Sequence, residues 1–270
     1  MNINMNIKEI IEKENYTFED LRVIMEILRS ENGCPWDREQ THSSIRNDFL
    51  EEAYEAIEGI DKGDDVILKE ELGDVLLQVV FHARIAEEQG VFDVDDVADG
   101  ICKKLILRHP HIFADVTAET SEEVLKNWDE IKKQEKSQKT ATDTLRSVSC
   151  AMPSLVRAKK VQGKAAKVGF TYADENDAME KVREEYAEFC ETLGSKDKLC
   201  REEELGDLLF AIVNVARLCG IDAEQALYKT NEKFISRFES MEKSIKEDGK
   251  SFCELNVKSM IDYWKKAKKQ

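Results

Sequence analysis

Residues 51–58 read EEAYEAIE and residues 70–77 read EELGDVLL; residues 184–191 read EEYAEFCE and residues 203–210 read EELGDLLF. Glu52, Glu55, Glu71 and Asp74 thus recur as Glu185, Glu188, Glu204 and Asp207 at one offset of 133 residues, and the register continues from Ala83-Arg84 to Ala216-Arg217. One offset shared by separated blocks means a duplicated unit. Leu72, Val75, Leu76, Val79, Val80 and Ala83 follow the i, i+3, i+4, i+7, i+8, i+11 spacing of an amphipathic helix, as do Leu205, Leu208, Leu209, Ile212, Val213 and Ala216. A preceding helix is expected over residues 44–58 in the first copy and 175–192 in the second, with glycine-bearing breaks at 59–64 and 193–197. Breaks this short make the two helices of each copy antiparallel neighbours. A lone hairpin cannot bury its own apolar stripes, so the expected fold is all-α: two tandem helical bundles, each completed by flanking helices and by pairing of two copies of the chain.

Composition agrees with that reading. Twelve glycines and three prolines in 270 residues are about half the average share, and no proline follows Pro153. A β-sandwich or barrel, which needs turn residues throughout, is excluded. The net charge of −16 opposes non-specific nucleic-acid binding. Seven cysteines, with no CxxC pair, read as free thiols of a reducing compartment. The first 14 residues are polar and no apolar run approaches a membrane span, so no membrane association and a cytoplasmic location are expected. Lys132 to Ser149 (KKQEKSQKTATDTLRSVS) is polar and poor in large apolar residues. The expected division is therefore 1–136, a linker at 137–148, and 149–270.

The repeated acids carry the chemistry. Glu52 and Glu55 lie three apart on one helix face, Glu71 and Asp74 on the facing helix, and the hairpin lets all four converge; Glu185, Glu188, Glu204 and Asp207 form the equivalent set. Carboxylates this close repel and raise one another's pKa unless a cation sits among them. An oxygen-only set favours a hard cation, Mg²⁺ or Mn²⁺, over zinc. Gly73 and Gly206, inside helices beside the aspartates, suggest a close approach by backbone, metal or ligand. Downstream, Lys104 and Arg108 in the first copy and Lys233 and Arg237 in the second are lysine–arginine pairs four apart, able to clamp phosphate oxygens. Trp128 and Trp264 follow them in basic helical tails.

Other motifs fail. Gly249-Lys250-Ser251 lacks the first glycine of a phosphate loop, Ser244 standing in its place. Glu39 and His42 form the one ExxH, where a di-iron bundle needs two. His109 and His111, flanking Pro110, read as structural. No serine or cysteine has an identifiable base partner, which leaves hydrolysis by activated water.

GCPWDREQT at 33–41, the EExxE and ELGD blocks and RHPHIF at 108–113 resemble the MazG nucleoside triphosphate pyrophosphohydrolases; KVGF at 167–170, EEYAE, EELGD and NEKFISRF at 231–238 resemble that family's C-terminal domain. The resemblance runs over residues 20–270. It implies an all-α, tandem-domain homodimer that hydrolyses nucleoside triphosphates of varied base to the monophosphate and diphosphate with Mg²⁺. Carried over by motif, Glu185, Glu188, Glu204 and Asp207 become metal ligands, Lys181, Lys233 and Arg237 phosphate-binding residues, and Trp264 a nucleotide contact. Glu184 or Glu185 would be the general base, with Lys233 and Arg237 stabilising the developing charge. Lys181 has Asp48 as its counterpart at the 133 offset, so the C-terminal domain is the expected main catalytic site, with Glu52, Glu55, Glu71 and Asp74 as a second metal site. Two rival readings are a pyrophosphatase selective for dUTP or a modified nucleotide, and a regulatory helical module that binds nucleotide without cleaving it.

Overall fold

Seven helices of this chain start at an acidic or hydroxyl cap: Thr17, Asp64, Asp93, Thr140, Asp174, Asp197 or Asp222. In the computed structural model, which describes residues 3–114, 117, 118, 120–135 and 139–268, every long element is a helix, and the described residues contain no strand. The chain divides into two compact units, Met1–Lys132 and Lys133–Gln270.

The first unit begins with α1 (Ile3–Ile11) and α2 (Phe18–Arg29), the latter started by a capping box in which Thr17 and Asp20 exchange side-chain-to-backbone bonds. A short α3 (Pro35–Glu39) leads to α4 (Arg46–Lys62) and α5 (Asp65–Glu88), the acid-bearing hairpin. The sequence reading broke the first of these helices at Gly59; the structure carries it to Lys62. Gly63, at φ 64°, is the left-handed cap, and the Asp64 carboxylate accepts from the amides of Val66 and Ile67 to start α5. Gly59 instead lies where the two helices meet: a Cβ there would stand 2.8 Å from the Leu68 backbone nitrogen. The remaining helices are α6 (Val94–Arg108), α7 (Pro110–Phe113) and α8 (Ser121–Glu135), the last belonging to this unit as far as Lys132. Met25, Ile45, Val80, Phe81 and Ile85 form the buried core, where α2 packs on the C-terminal half of α5.

The second unit holds α9 (Ala141–Arg146), α10 (Ser154–Ala166), the hairpin α11 (Glu175–Thr192) and α12 (Lys198–Leu218), α13 (Ala223–Glu247) and α14 (Val257–Ala267). The stretch expected as a linker, 137–148, contains α9, capped by Thr140 and Asp143 and packed on α10; residues 137 and 138 lie outside the described residues. Asp174 and Asp197 start the two hairpin helices in the way Asp64 starts α5. Met241, Ile245, Tyr263 and Ala267 make a separate core between α13 and α14.

The predicted apolar stripes are only half covered within one chain. Val80 and Ala83 are buried, but Leu72 and Leu76 are 53% and 40% exposed; Val213 is buried, but Leu205, Leu209 and Ile212 are 42%, 45% and 44% exposed. No helix among the described residues is long and apolar enough to cross a membrane.

Candidate metal centre and adjoining cavity

Within each hairpin the i, i+3 acids of the first helix meet the first acid of the second. Oxygens of Glu52, Glu55 and Glu71 lie within 4.8 Å of one another, and so do those of Glu185, Glu188 and Glu204. Three of the four acids expected in each set thus converge. Asp74 and Asp207 fall outside them, each one methylene shorter than a glutamate and a helical turn beyond Glu71 or Glu204. Asp74 still adds its charge to the field at Glu52 and Glu71. Asp207 instead lines a cavity beside Glu185 and Lys181. No backbone or side chain of this chain's described residues approaches Gly73 or Gly206: a Cβ at either would meet nothing within 4 Å, so both stand on open helix surface.

Charge crowding leaves its mark on both trios. Partial burial, then the charges of Asp74, Glu55, Glu51 and Asp48, push the Glu52 carboxyl above its ordinary value. Glu71 is raised by desolvation and by Glu55, with which it shares a hydrogen bond that only a protonated acid can donate. Glu188 is raised by desolvation and by Glu185 and Glu204, with Lys181 opposing. A cation held by these oxygens would remove the repulsion, and an all-carboxylate set suits a hard divalent ion. The donors present fit Mg²⁺ or Mn²⁺.

The units differ in what faces the trio. In the second, the Lys181 ammonium donates to Glu184 and Glu185, both at 2.7 Å, and these two bonds raise its pKa. Glu185 is buried while Glu184 is exposed, so the lysine bridges an interior acid and a surface one. In the first unit Asp48 stands at that position and adds negative charge.

Beside the second trio, α10, α11, α12 and the loop before α11 enclose a cavity of about 580 Å³. Lys181, Glu185 and Asp207 line it, together with aromatic side chains, of which Phe170 belongs to the KVGF segment. Gln162 and Asn214 also line it, and sequence reasoning missed both. No spacing signal marks them, because α10 reaches the cavity only by packing on α12.

Lys233, Arg237 and Trp264 do not line this cavity. Lys233 is exposed and Arg237 half-buried, and neither forms an ion pair among the described residues. Trp264 packs on Phe234, ring centroids 4.9 Å apart, so α14 fixes its indole against α13. In the first unit Arg108 lies over the ring of Trp128, 5.2 Å from its centre. His109 uses Nδ1 in a 2.6 Å hydrogen bond with the Leu105 carbonyl, a structural role.

The fold and site define a tandem all-α protein with a carboxylate trio in each half. The family model described as the MazG nucleotide pyrophosphohydrolase domain matches residues 40–113 and again 174–241, each match spanning one acid-bearing hairpin. A Thermotoga maritima protein named nucleoside triphosphate pyrophosphohydrolase/pyrophosphatase MazG is 46% identical over 93% of this chain and 95% of its own length. The Escherichia coli K12 nucleoside triphosphate pyrophosphohydrolase is 44% identical over 93% of this chain and 96% of its own. Bacillus subtilis YabN is 45% identical over 94% of this chain, which spans 52% of it. The chain belongs to the MazG family of nucleotide pyrophosphohydrolases.

Proposed function

We propose that this chain is a Mg²⁺-dependent nucleoside triphosphate pyrophosphohydrolase that cleaves between the α and β phosphates, releasing the monophosphate and diphosphate, with its main site in the second unit. The observation that carries the reading is the convergence of Glu185, Glu188 and Glu204, the first of which lines a cavity that also presents Lys181. The names of the Thermotoga maritima and Escherichia coli relatives support it.

Glu185, Glu188 and Glu204, with Asp207 one turn on, would hold the metal. When bound, Mg²⁺ neutralises phosphate charge and lowers the pKa of a coordinated water. Lys181 lies where it can leave its carboxylate partners for a phosphate oxygen, keeping one counter-charge in the site before and after substrate arrives. Glu184, exposed and held at 2.7 Å by Lys181, is oriented but sits outside the trio, which leaves it able to accept the proton of the attacking water. The first unit has the acids without the lysine, so we assign it metal binding and weak or no triphosphate turnover.

Lys233, Arg237 and Trp264 act in this reading on the nucleotide held by a second copy. The uncovered Leu205, Leu209 and Ile212 stripe supports a homodimer. Seven free cysteines support a cytoplasmic location.

The test is product analysis of ATP and dNTP hydrolysis with Mg²⁺ and with a chelator. AMP and diphosphate, lost on chelation, are expected. ADP and phosphate would overturn the bond assignment, and nucleotide binding without turnover would favour a regulatory module.

A further inference from the structure

We propose that Arg217 is a positioning residue of the second unit: it ties the loop between α10 and α11 to α12 through Thr171, and so holds one wall of the cavity that Lys181, Glu185 and Asp207 also line. The inference rests on the reading of this unit as the hydrolytic site and adds a residue that belongs neither to the acid set nor to the cavity lining.

Helix caps fix the loop at both ends. The chain leaves α10 through Gly169, at φ 88°, whose N–H donates to the Ala166 carbonyl at 3.0 Å while that of Phe170 donates to Ala165 at 3.1 Å. At the far end the Asp174 carboxylate accepts from the amides of Asn176 and Asp177 to start α11. Thr171, Tyr172 and Ala173 lie between, all exposed. Among the described residues, the hydrogen bond that joins this stretch to another helix comes from Arg217, whose Nη2 donates at 2.9 Å to the Thr171 hydroxyl, 46 residues away.

The guanidinium is itself held in place. It is half-buried, has no carboxylate partner among the described residues, and donates to the Asn214 side-chain oxygen from Nε at 3.0 Å and from Nη2 at 2.8 Å. A planar fork fixed on one side presents its remaining N–H in a set direction, here toward Thr171. Both residues that it grips, Thr171 and Asn214, line the cavity.

The first unit shows the other use of the same residue. Arg84, the counterpart at the 133 offset, stands 3.1 Å from Glu87 and 3.1 Å from Glu88, and Phe81 takes the place of Asn214. The second unit has Gly220 and Ile221 where those two glutamates would fall, so Arg217 finds no acid there and reaches the loop instead. The tie thus belongs to the unit that also has Lys181. An untied stretch of three exposed residues samples many conformations, and a ligand that needs the wall in place must restrict them as it binds. Fixing the stretch beforehand removes that cost from binding and leaves the chemical step unaltered.

The experiment follows the loop and the turnover separately. Amide exchange at Gly169 and Phe170, read by mass spectrometry of fragments over 165–174, should quicken about fivefold or more in Arg217→Gln and in Thr171→Val, with fragments of α13 and α14 unchanged. Thr171→Ser keeps the hydroxyl and should keep the exchange protection; Arg217→Lys keeps the charge, loses the fork and should exchange as Arg217→Gln does. With ATP and Mg²⁺, Arg217→Gln and Thr171→Val should each raise KM about tenfold and leave kcat within about twofold. Thr171→Val should add nothing in an Arg217→Gln background, because the bond is already broken. Unchanged exchange in Thr171→Val, or full additivity of the two changes, overturns the tie and leaves hydrolysis standing. Faster exchange with KM unchanged, or with the loss in kcat instead, overturns the positioning role. Faster exchange in the variants with no turnover by wild type sinks the hydrolytic reading and keeps the tie. Should Arg217→Gln not fold, Thr171→Val, at an exposed position, decides alone.

Discussion

Lys181 Nζ stands 2.7 Å from a carboxylate oxygen of the buried Glu185, so the second unit's acid trio carries a cation that the first unit replaces with Asp48. Two copies of one helical hairpin thereby acquire opposite local charge at the same position. That difference, rather than the acids they share, separates their expected roles.

Lys181→Asp, which writes the first unit's residue into the second, should raise KM for ATP about tenfold or more and leave the helical circular dichroism unchanged, because a like charge replaces a phosphate partner. The reverse change, Asp48→Lys, should strengthen nucleotide binding by the first unit. Steady-state kinetics and calorimetry check the pair.

Removing a carboxylate from either trio separates the two sites. Glu188→Ala or Glu204→Ala should lower kcat by about 100-fold or more by depriving the metal of a ligand. Glu55→Ala should leave most turnover in place while reducing the bound-metal count measured by equilibrium dialysis. Full activity in both second-unit variants would refute the assignment.

Without metal, the raised carboxyls of Glu52, Glu71 and Glu188 make the folded chain bind protons more tightly than the unfolded one. Their stabilisation is complete below the ordinary value of 4.5 and is lost as pH rises through the raised folded values. The metal-free protein should therefore lose Tm on going from pH 4.5 toward 7 as far as these groups decide it. The Tm gain from Mg²⁺ should grow over the same interval, since the ion replaces the lost protons. Glu52→Gln should raise the metal-free Tm at pH 7 and shrink the response to Mg²⁺.

The glycines should divide by where their missing side chains would point. Gly59→Ala forces a Cβ against the Leu68 backbone at 2.8 Å and should cost about 1–3 kcal/mol in chemical denaturation. Gly73→Ala and Gly206→Ala face open space inside helices and should be neutral or stabilising by up to about 1 kcal/mol. Activity lost in a stable Gly206→Ala protein would show that this open surface is used by substrate or by a second copy.

Mixing two inactive variants tests the completion of one site by another chain. Glu188→Ala and Arg237→Ala, mixed under conditions that exchange subunits, should recover about a quarter of wild-type activity if Arg237 serves the neighbour's nucleotide, because half the dimers then hold one intact site of two. Sedimentation should give about twice the chain mass of 31.0 kDa. No recovery would place Arg237 with its own chain's acids.

The duplicated unit, the all-α class and the clustering of the repeated carboxylates were legible in the chain because each depends on spacing along a helix. Glu185 and Glu188 share a face whatever surrounds them, and the 133-residue offset needs no structure to be seen. Helix limits were less legible. Gly59 looked like a terminator, yet the chain ends α4 at Gly63, since only the packing partner shows that Gly59 is needed for close approach.

Tertiary structure alone decided the rest. It brought three of each four acids together and set the aspartate a turn away, because converging on one point depends on side-chain length and the angle between two helices as well as on register. It joined Gln162 to Phe210, 48 residues away, and so turned an ordinary polar residue of α10 into a buried acceptor with a fixed direction. It also left Lys233 and Arg237 off the cavity that Lys181 enters. Sequence fixes what a helix face carries; which faces meet is settled by packing between elements far apart in the chain, and that is where recognition is built.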